Sequence, residues 1–519
     1  MAQIPYRANL SAAIFPMTLA RAGRSVIIPQ ADQNFDRRVD PEGEQKSAGI
    51  PQIIYGENIL PTADGYQSVG YETGGTFGAT GSPGVSWEAI EVDIPTSGYK
   101  HVVLLIGIGV VKYTVNGVNY TDLPITGTAP VSYLNFISTA TVRGVCYLHV
   151  GSRIYTVDLA GVVEVTASFT PVGILTNLIN ICGAFNYLIL LKSDGTVNWS
   201  STTTPTDFTP SLVSGAGSGA LTGNAGQARY LKRAPKGFYV YCFGNVVSVT
   251  YTGNARYPWR FTPVADSEGV LTDKQFSGEA SDSFNVMLAR SGAIYEVSES
   301  GARLAAPEVS ELITRVQYKD VFNYSTNEFS ISAVPFSAGS ILKYLMGRYI
   351  ILTSDNVGIV YDMQLKRYGK FNVNHTYVVD VENMSANGAR TLAFIDLYYG
   401  TTKILSQDVN DPAVTFQGVI VLGKFQYARS RFLALDEVSL EASQLASLVS
   451  PANLDVYAIP TLDGKTFQPA QALYKVIDSS TGAVMTYNST AEGKNVSLLI
   501  KGAFDLTSVE IHFHLGGGC

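Results

Sequence analysis

The feature that most constrains this chain is a hairpin that recurs. Tyr187-Leu188-Ile189-Leu190-Leu191 is an apolar run, Ser193-Asp194-Gly195 is a turn, and Thr196-Val197-Asn198-Trp199-Ser200 resumes the extended pattern. Asp-Gly between two strand-like runs signals a hairpin because glycine accepts the positive φ such turns need. The design returns at Phe238–Cys242, Gly244-Asn245 and Val246–Tyr251. Hairpins of this kind are read at Lys100–Asn116, Gly144–Leu159, Asn186–Ser200, Phe238–Thr252, Asn285–Ser298, Arg348–Tyr361 and Thr391–Leu405, so successive starts lie 44, 42, 52, 47, 63 and 43 residues apart. A period of roughly 40–50 residues with about four strands per unit is the signature of a β-propeller. One four-stranded unit cannot bury both its faces; a ring of them buries each against the next and leaves only short edges. The wide interval from Asn285 to Arg348, with Pro307 and Pro335, predicts an insertion.

Composition agrees with strands. Charged residues make up 15% of the chain, too few for the wet faces of long amphipathic helices, while 49 glycines and 30 tyrosines suit short strands joined by turns. The 519 residues allow one large repetitive domain and a smaller one. The expected fold class is all-β: a six- or seven-bladed β-propeller with an N-terminal extended arm and a small C-terminal β-sandwich. The divisions expected are an arm with a few strands at 1–98, the propeller at 99–423 and the sandwich at 424–519. The arm is turn-rich, with Pro29, Pro41, Pro51, Pro61 and Gly74-Gly75, a charged segment Asp32–Lys46 and short extended pieces at Ser25–Pro29 and Gln52–Tyr55. It is read as lying on its own chain or on a neighbour. In the last part, Phe425–Leu440, Asp455–Ile459, Ala472–Ile477, Val484–Tyr487, Asn495–Ile500 and Ser508–Leu515 read as strands.

The net charge is −7 and no basic run occurs, which argues against tight binding to a phosphate backbone. Leu10–Ala20 is broken by Pro16, so no signal peptide is expected, and the longest apolar run, Val102–Val111, is too short to span a bilayer as a helix. Cys146, Cys182 and Cys242 lie in apolar strands and are expected to be buried thiols; Cys519 ends a glycine tail and reads as a frayed, unpaired terminus.

Candidate chemistry is sparse. Gly215-Ala216-Gly217-Ser218-Gly219 lacks the Lys-Ser/Thr pair of a phosphate loop and reads as a flexible inter-strand loop; Gly107-Ile108-Gly109 is a weaker match still. His512 and His514 alternate on one strand and could chelate a metal, but no third ligand is apparent, so an ordinary strand face is expected. Ser193-Asp194-Gly195-Thr196 is close to the Asp-box turn of sialidase-like propellers but departs from its spacing, and a sialidase's arginines and Tyr–Glu pair are not found. The expectation is no enzyme, no catalytic, cofactor-binding or metal residue, and no cofactor. The alternative is a carbohydrate-binding or glycosidase-like β-propeller, whose mark would be paired carboxylates on the inner strands of the blades.

Three segments together carry a resemblance: Asn186–Pro210, with its strand, Asp-Gly turn, Trp199-Ser200 and Pro-Thr-Asp-Phe connection; Asn245–Phe261; and Tyr361–Phe371, with Tyr-Asp-x-x-x-Lys-Arg-Tyr-Gly-Lys. They resemble the tail nozzle, or tail hub, of short-tailed bacteriophages, the family of tail tubular protein B and the packed-DNA stabilisation proteins. The resemblance covers roughly 185–375; elsewhere only the order arm, propeller, sandwich matches. It implies a virion structural protein, made in the host cytoplasm. It further implies a homo-hexameric ring that lines the DNA exit channel, retains the genome and then releases it. The implied partners are a tail adaptor ring above, tail fibres or tailspikes, and double-stranded DNA in non-specific passage, with no stable membrane insertion. A mildly acidic wall would let DNA slide without counterion-release binding.

Overall fold

The computed structural model describes residues 4–9, 26–28, 53–78, 87–95, 100–130, 136–221, 227–254, 256–272, 274–278, 283–306, 318–323, 328–333, 340–354, 357–382, 389–407, 414–427, 432–442, 454–462, 468–476 and 484–515. Every one of the seven hairpins is the middle pair of four antiparallel strands, successive in the chain in all but the seventh. The first blade is Glu88–Ile94, Lys100–Gly107, Val110–Thr114 and Thr121–Leu123. The second is Ile137–Val142, Val145–Val150, Arg153–Asp158 and Gly161–Glu164, with Ile125–Thr126 added in parallel to its outer strand. The third is Leu178–Ala184, Tyr187–Lys192, Thr196–Trp199 and Gly217–Ala220. The fourth is Ala228–Ala234, Gly237–Cys242, Val246–Tyr251 and Trp259–Pro263. The fifth is Phe276–Ser277, Asn285–Leu288, Ile294–Ser298 and Gly301–Leu304. The sixth is Ile341–Leu345, Tyr349–Ser354, Val357–Asp362 and Arg367–Asn372. The seventh is Tyr377–Glu382, Arg390–Asp396, Thr401–Ser406 and, on its outer edge, Gly70–Thr76.

The apolar runs of the middle strands follow from burial on both faces. In the third blade, Leu188 and Leu190 pack with Ala140, Tyr147 and Ile154 of the second, whereas Ile189 and Leu191 pack with Phe238, Val240 and Trp259 of the fourth. In the first blade, Leu104 and Ile106 face Leu148 and Tyr155 of the second, and Val103 and Leu105 face Val379, Ala393 and Ile395 of the seventh. The fourth and fifth, fifth and sixth, and sixth and seventh blades share further apolar clusters. The ring is therefore closed by packing all the way round, each wholly buried Leu or Ile contributing about 1.5–3 kcal/mol. Among the described residues, these seven sheets make the all-β propeller.

Two boundaries of the sequence reading move. The division at 98/99 cuts the first blade's own hairpin, because Ile94 pairs with Lys100, so the propeller begins at Glu88. Gly70–Thr76, read as arm, completes the seventh blade through Ser406↔Gly70 and Leu405↔Tyr71. The insertion expected after the fifth blade contains the hairpin Tyr318–Asn323 with Glu328–Ala333; Pro307 and Pro335 lie outside the described residues.

Two more sheets stack as a sandwich. One carries Gly418–Tyr427, Asn495–Gly502, Leu454–Thr461 and Gln471–Ala472; the other carries Asp505–Leu515, Leu433–Ala442, Val484–Asn488 and Tyr474–Val476. Alternate residues of both point inward: Ile420, Leu422, Leu498 and Ile500 meet Leu433, Leu435, Val509, Ile511 and Phe513. Gly418–Tyr427 crosses the expected 423/424 division.

The described parts of the arm pair within their own chain. Ile4–Asn9 pairs with Asp505–Leu515, and Val26–Ile28 and Ile53–Glu57 extend Gly418–Tyr427. Ile59–Pro61 and Tyr66–Ser68 span from the sixth blade's Arg367–Asn372 to Asp505–Leu515. Asp32–Lys46 lies outside the described residues. At the junction, Asn58 takes a left-handed φ of 50°. Its Oδ1 accepts from Tyr71 Oη at 2.7 Å and from the Asn372 amide at 2.9 Å, and its Nδ2 donates to the Gln417 carbonyl at 3.3 Å. One buried side chain thus ties the arm to the sixth and seventh blades and to the entry of the sandwich.

A second polar tie joins the second and third blades. His149 is fully buried; its Nε2 donates to the Gly151 carbonyl at 2.6 Å, so Nδ1 accepts from Ser138 Oγ at 3.1 Å, and Ser138 Oγ accepts from the Ile181 amide at 3.0 Å. Burial pushes the imidazole down to about 4 against the smaller raising effect of the Gly151 bond. Between pH 6.5 and about 4 the unfolded chain takes up a proton here that the folded chain refuses, so stability falls as pH falls through that window. Wild type is expected to lose on the order of 3 kcal/mol more than His149→Gln across it, read from urea midpoints at matched pH. Equal slopes for the two proteins would exclude the role.

Candidate functional site: the charged mouth of the channel

The innermost strands of the blades line the axis of the ring. Where they turn into the second strands, a cavity of about 520 Å³ opens, with Glu91, Asp93, His101, Arg143, Lys232 and Asp380 among its walls. The volume falls in the range of small-molecule sites. Glu91 and Asp93 stand on Glu88–Ile94, His101 begins the next strand of the same hairpin, and Asp380 stands on Tyr377–Glu382. Closure of the first blade on the seventh brings these four together.

Each charge has a partner. Lys343 of the sixth blade donates to Glu91 Oε2 at 2.6 Å and to Tyr377 Oη at 2.7 Å. Arg390 Nη1 lies 2.9 Å from Asp380 Oδ2. His101 Nδ1 lies 3.0 Å from Asp93 Oδ1, and its Nε2 lies 3.6 Å from Asp380 Oδ1 without forming a hydrogen bond. The side chain of Asp380 is 2% exposed and that of Asp93 65%, so the seventh-blade carboxylate is the one withdrawn from water.

The titration behaviour follows. Burial is the largest influence on Glu91 and works against its ionised form, but the charge and hydrogen bond of Lys343, with the charges of His101 and Lys232, together hold the carboxyl below its ordinary range. The His101 hydrogen bond lowers Asp93. Burial, seconded by the charge of Glu91, raises Asp380 against the pull of Arg390 and His101. For His101, burial opposes the charged form, yet the bond to Asp93 and the charges of Glu91 and Asp380 overcome it and raise the imidazole.

Glu91, His101 and Asp380 bring ligand-type atoms within 4.8 Å of one another, the one such group of three among the described residues. They do not fit a metal. Three carboxylates face two fixed cations, Lys343 and Arg390. With Lys232 also acting on Glu91 and Asp93, a divalent ion would leave a surplus of positive charge.

The residues singled out from sequence lie elsewhere. Asp194 Oδ1 accepts from the Thr196 amide and Gly195 has φ 85°, so this is a hairpin turn. The corresponding Asp355-Asn356 turn lies outside the described residues. The glycine run is not a loop throughout: Gly217–Ala220 is the third blade's outer strand. A Cβ on Gly217 would meet the Trp199 ring at 3.1 Å and one on Gly219 the Phe261 ring at 3.3 Å, so the glycines make room for aromatic rings. Ile108-Gly109 forms a turn, with φ 74° at Gly109. His512 Nε2 lies 3.1 Å from Glu510 Oε1 and His514 Nδ1 2.5 Å from Asp436 Oδ1, each histidine engaged with a carboxylate. Cys146, Cys182 and Cys242 are buried and unpaired, each thiol pushed up to about 12 by burial. Cys519 lies outside the described residues. Among the described residues no helix is long and apolar enough to cross a membrane.

No family's sequence model and no curated protein matches the chain. Solved β-propellers do. The WD40 propeller domain of Doa1 is 11% identical, with 65% of this chain and 98% of that chain covered and a TM-score of 0.37. YCF48 from Cyanidioschyzon merolae is 12% identical, covering 62% and 98%, with a TM-score of 0.36. The BBS1 N-terminal region, solved in complex with ARL6, is 10% identical, covering 64% and 93%, also at 0.36.

Sequence reasoning missed Glu91, Asp93, His101 and Asp380. Charges alternating with Ala89, Val92 and Ile94 in Glu88–Ile94 were the available signal, since an innermost strand must face both neighbours and the axis.

Proposed function

We propose that this chain is a virion structural protein, one subunit of a homo-hexameric nozzle or hub ring at the distal end of a short phage tail. The observation that carries the reading is the resemblance of Asn186–Pro210, Asn245–Phe261 and Tyr361–Phe371 to that family. These stretches do scaffold work: Trp199 Nε1 donates to the Gly215 carbonyl at 2.9 Å, and Asp362 Oδ1 accepts from the amides of Gln364 and Leu365. Roles of this kind suit a rigid wall. The cavity on the propeller axis is of small-molecule size, and B-DNA has a major groove alone about 12 Å wide. In this reading the duplex therefore passes through the axis of the hexamer, between subunits. The sandwich, with its N-terminal strands, carries the contacts to neighbouring copies and to the adaptor ring. Native mass spectrometry of the recombinant chain and proteomics of purified virions test this. Six copies and presence in the particle are expected; a strict monomer absent from virions would overturn it.

One observation favours a carbohydrate-active propeller as a second reading. Glu91 and Asp380 are carboxylates on inner strands, pushed in opposite directions, the pattern of a base and an acid. Lys343 and Arg390 already engage both, which ranks it second. Hydrolysis of a glycan panel, lost in Glu91→Gln, would reverse the order.

A further inference from the structure

The charged cluster occupies the joint between the first blade and the seventh, whose inner strands Glu88–Ile94 and Tyr377–Glu382 come from opposite ends of the propeller sequence. Its carboxylates are Glu91, Asp93 and Asp380, and its cations are Lys343, Arg390 and, acting on Glu91 and Asp93, Lys232. A neutral imidazole leaves the three carboxylates facing Lys343, Arg390 and Lys232; an imidazolium adds a cation placed between Asp93 and Asp380. Geometry asks for the same proton. His101 has Asp93 Oδ1 at 3.0 Å from one nitrogen and Asp380 Oδ1 at 3.6 Å from the other. A neutral ring would turn a lone pair towards one of these anions.

We propose that His101 is a protonation latch on ring closure: its imidazolium ties Asp93 of the first blade to Asp380 of the seventh, and raising the pH until the ring loses its proton loosens that seam. This stands apart from the nozzle reading. The groups that act on the ring are Glu91 and Asp93 from its own hairpin, and Asp380 and Arg390 from the seventh blade. Lys343 of the sixth and Lys232 of the fourth act on those carboxylates in turn. Arginine keeps its charge throughout, Lys343 is raised further, and Glu91 and Asp93 are held ionised; Asp380 is raised from its ordinary carboxylate value, so the His101 signal itself identifies the ring's own titration. The sign is fixed by the raised value. The stabilisation is complete below 6.5 and is lost as pH rises through the folded-state value.

The chain has five histidines, so carbon-13 labelling of the imidazoles gives a readable titration of the full-length protein. The signal absent from His101→Gln is expected to titrate above 6.5. Hydrogen exchange, corrected for its intrinsic pH dependence, is expected to rise in Gly70–Thr76, Glu88–Ile94 and Tyr377–Glu382 as that signal titrates. The rise should reach about tenfold for each unit by which the midpoint exceeds the ordinary value. Leu178–Ala184, across the ring, should not respond, and in His101→Gln the seam should lose its pH dependence. Should that variant fail to fold, Asp380→Asn must lower the His101 midpoint. A midpoint at or below 6.5, a seam whose pH response survives in His101→Gln, or a midpoint unmoved by Asp380→Asn would each overturn the proposal.

Discussion

Removing residues 1–76 is expected to abolish the folded propeller, whereas removing residues 1–40 is expected to leave it standing. The shorter truncation takes only Ile4–Asn9 and Val26–Ile28 among the described strands, and both pair with the sandwich. The longer one also takes Gly70–Thr76, stripping the outer strand from the seventh blade, and removes Leu60 and Val69 from the cluster between the sixth and seventh blades. It takes the Tyr71 ring too, which meets Phe394 edge-on at 5.5 Å. Three large apolar side chains at about 1.5–3 kcal/mol each, plus a whole strand's ladder, match the roughly 5–15 kcal/mol by which domains are stable. Near-ultraviolet circular dichroism and size exclusion separate the two: a native spectrum for the short truncation, and an expanded or aggregated chain for the long one. Under the nozzle reading the short truncation should also weaken ring assembly. Unfolding on removal of 1–40 would show that the first two strands matter to the propeller, against the pairing described.

Asn58→Leu is expected to cost about 3 kcal/mol, a large fraction of the stability of an ordinary domain. It removes three part-buried hydrogen bonds at once, from the Tyr71 hydroxyl, from the Asn372 amide and to the Gln417 carbonyl. It also forces a branched side chain into a φ of 50°, which asparagine tolerates and leucine resists. Asn58→Gly separates the contributions, because glycine accepts the backbone angle and loses only the amide. Urea unfolding should place the glycine variant between wild type and leucine. Equal midpoints for all three would mean that the junction is held by its apolar neighbours alone.

The middle hairpins were legible because their first strands are buried on both faces and read as largely apolar runs, followed by a turn and a second extended stretch; Tyr187–Leu191 is the plainest case. The inner and outer strands were not. Ala228–Ala234 and Tyr377–Glu382 mix charges into their pattern because one edge borders the channel. Gly217–Ala220 and Gly301–Leu304 are short, partly wet and rich in small residues. Glu88–Ile94 therefore reads as part of the arm. The charged mouth was illegible for another reason: Glu91 and Asp380 meet only across the closing seam, and no local spacing announces a contact between the two ends of a ring.

The strand that completes the seventh blade has a consequence for how the chain is made. Lys403 donates to Thr73 across 330 residues of sequence. A ribosome adding about 5–20 residues per second exposes Gly70–Thr76 for roughly 15 to 65 s before its partner is synthesised. During that interval the nascent chain can build the first blades, but it carries an unpaired strand edge of the sort that invites mispairing. Gly74 and Gly75, and the charge of Glu72, make that waiting segment poor in β-propensity and unattractive as a template, so the residues that close the ring last are also those least apt to pair early.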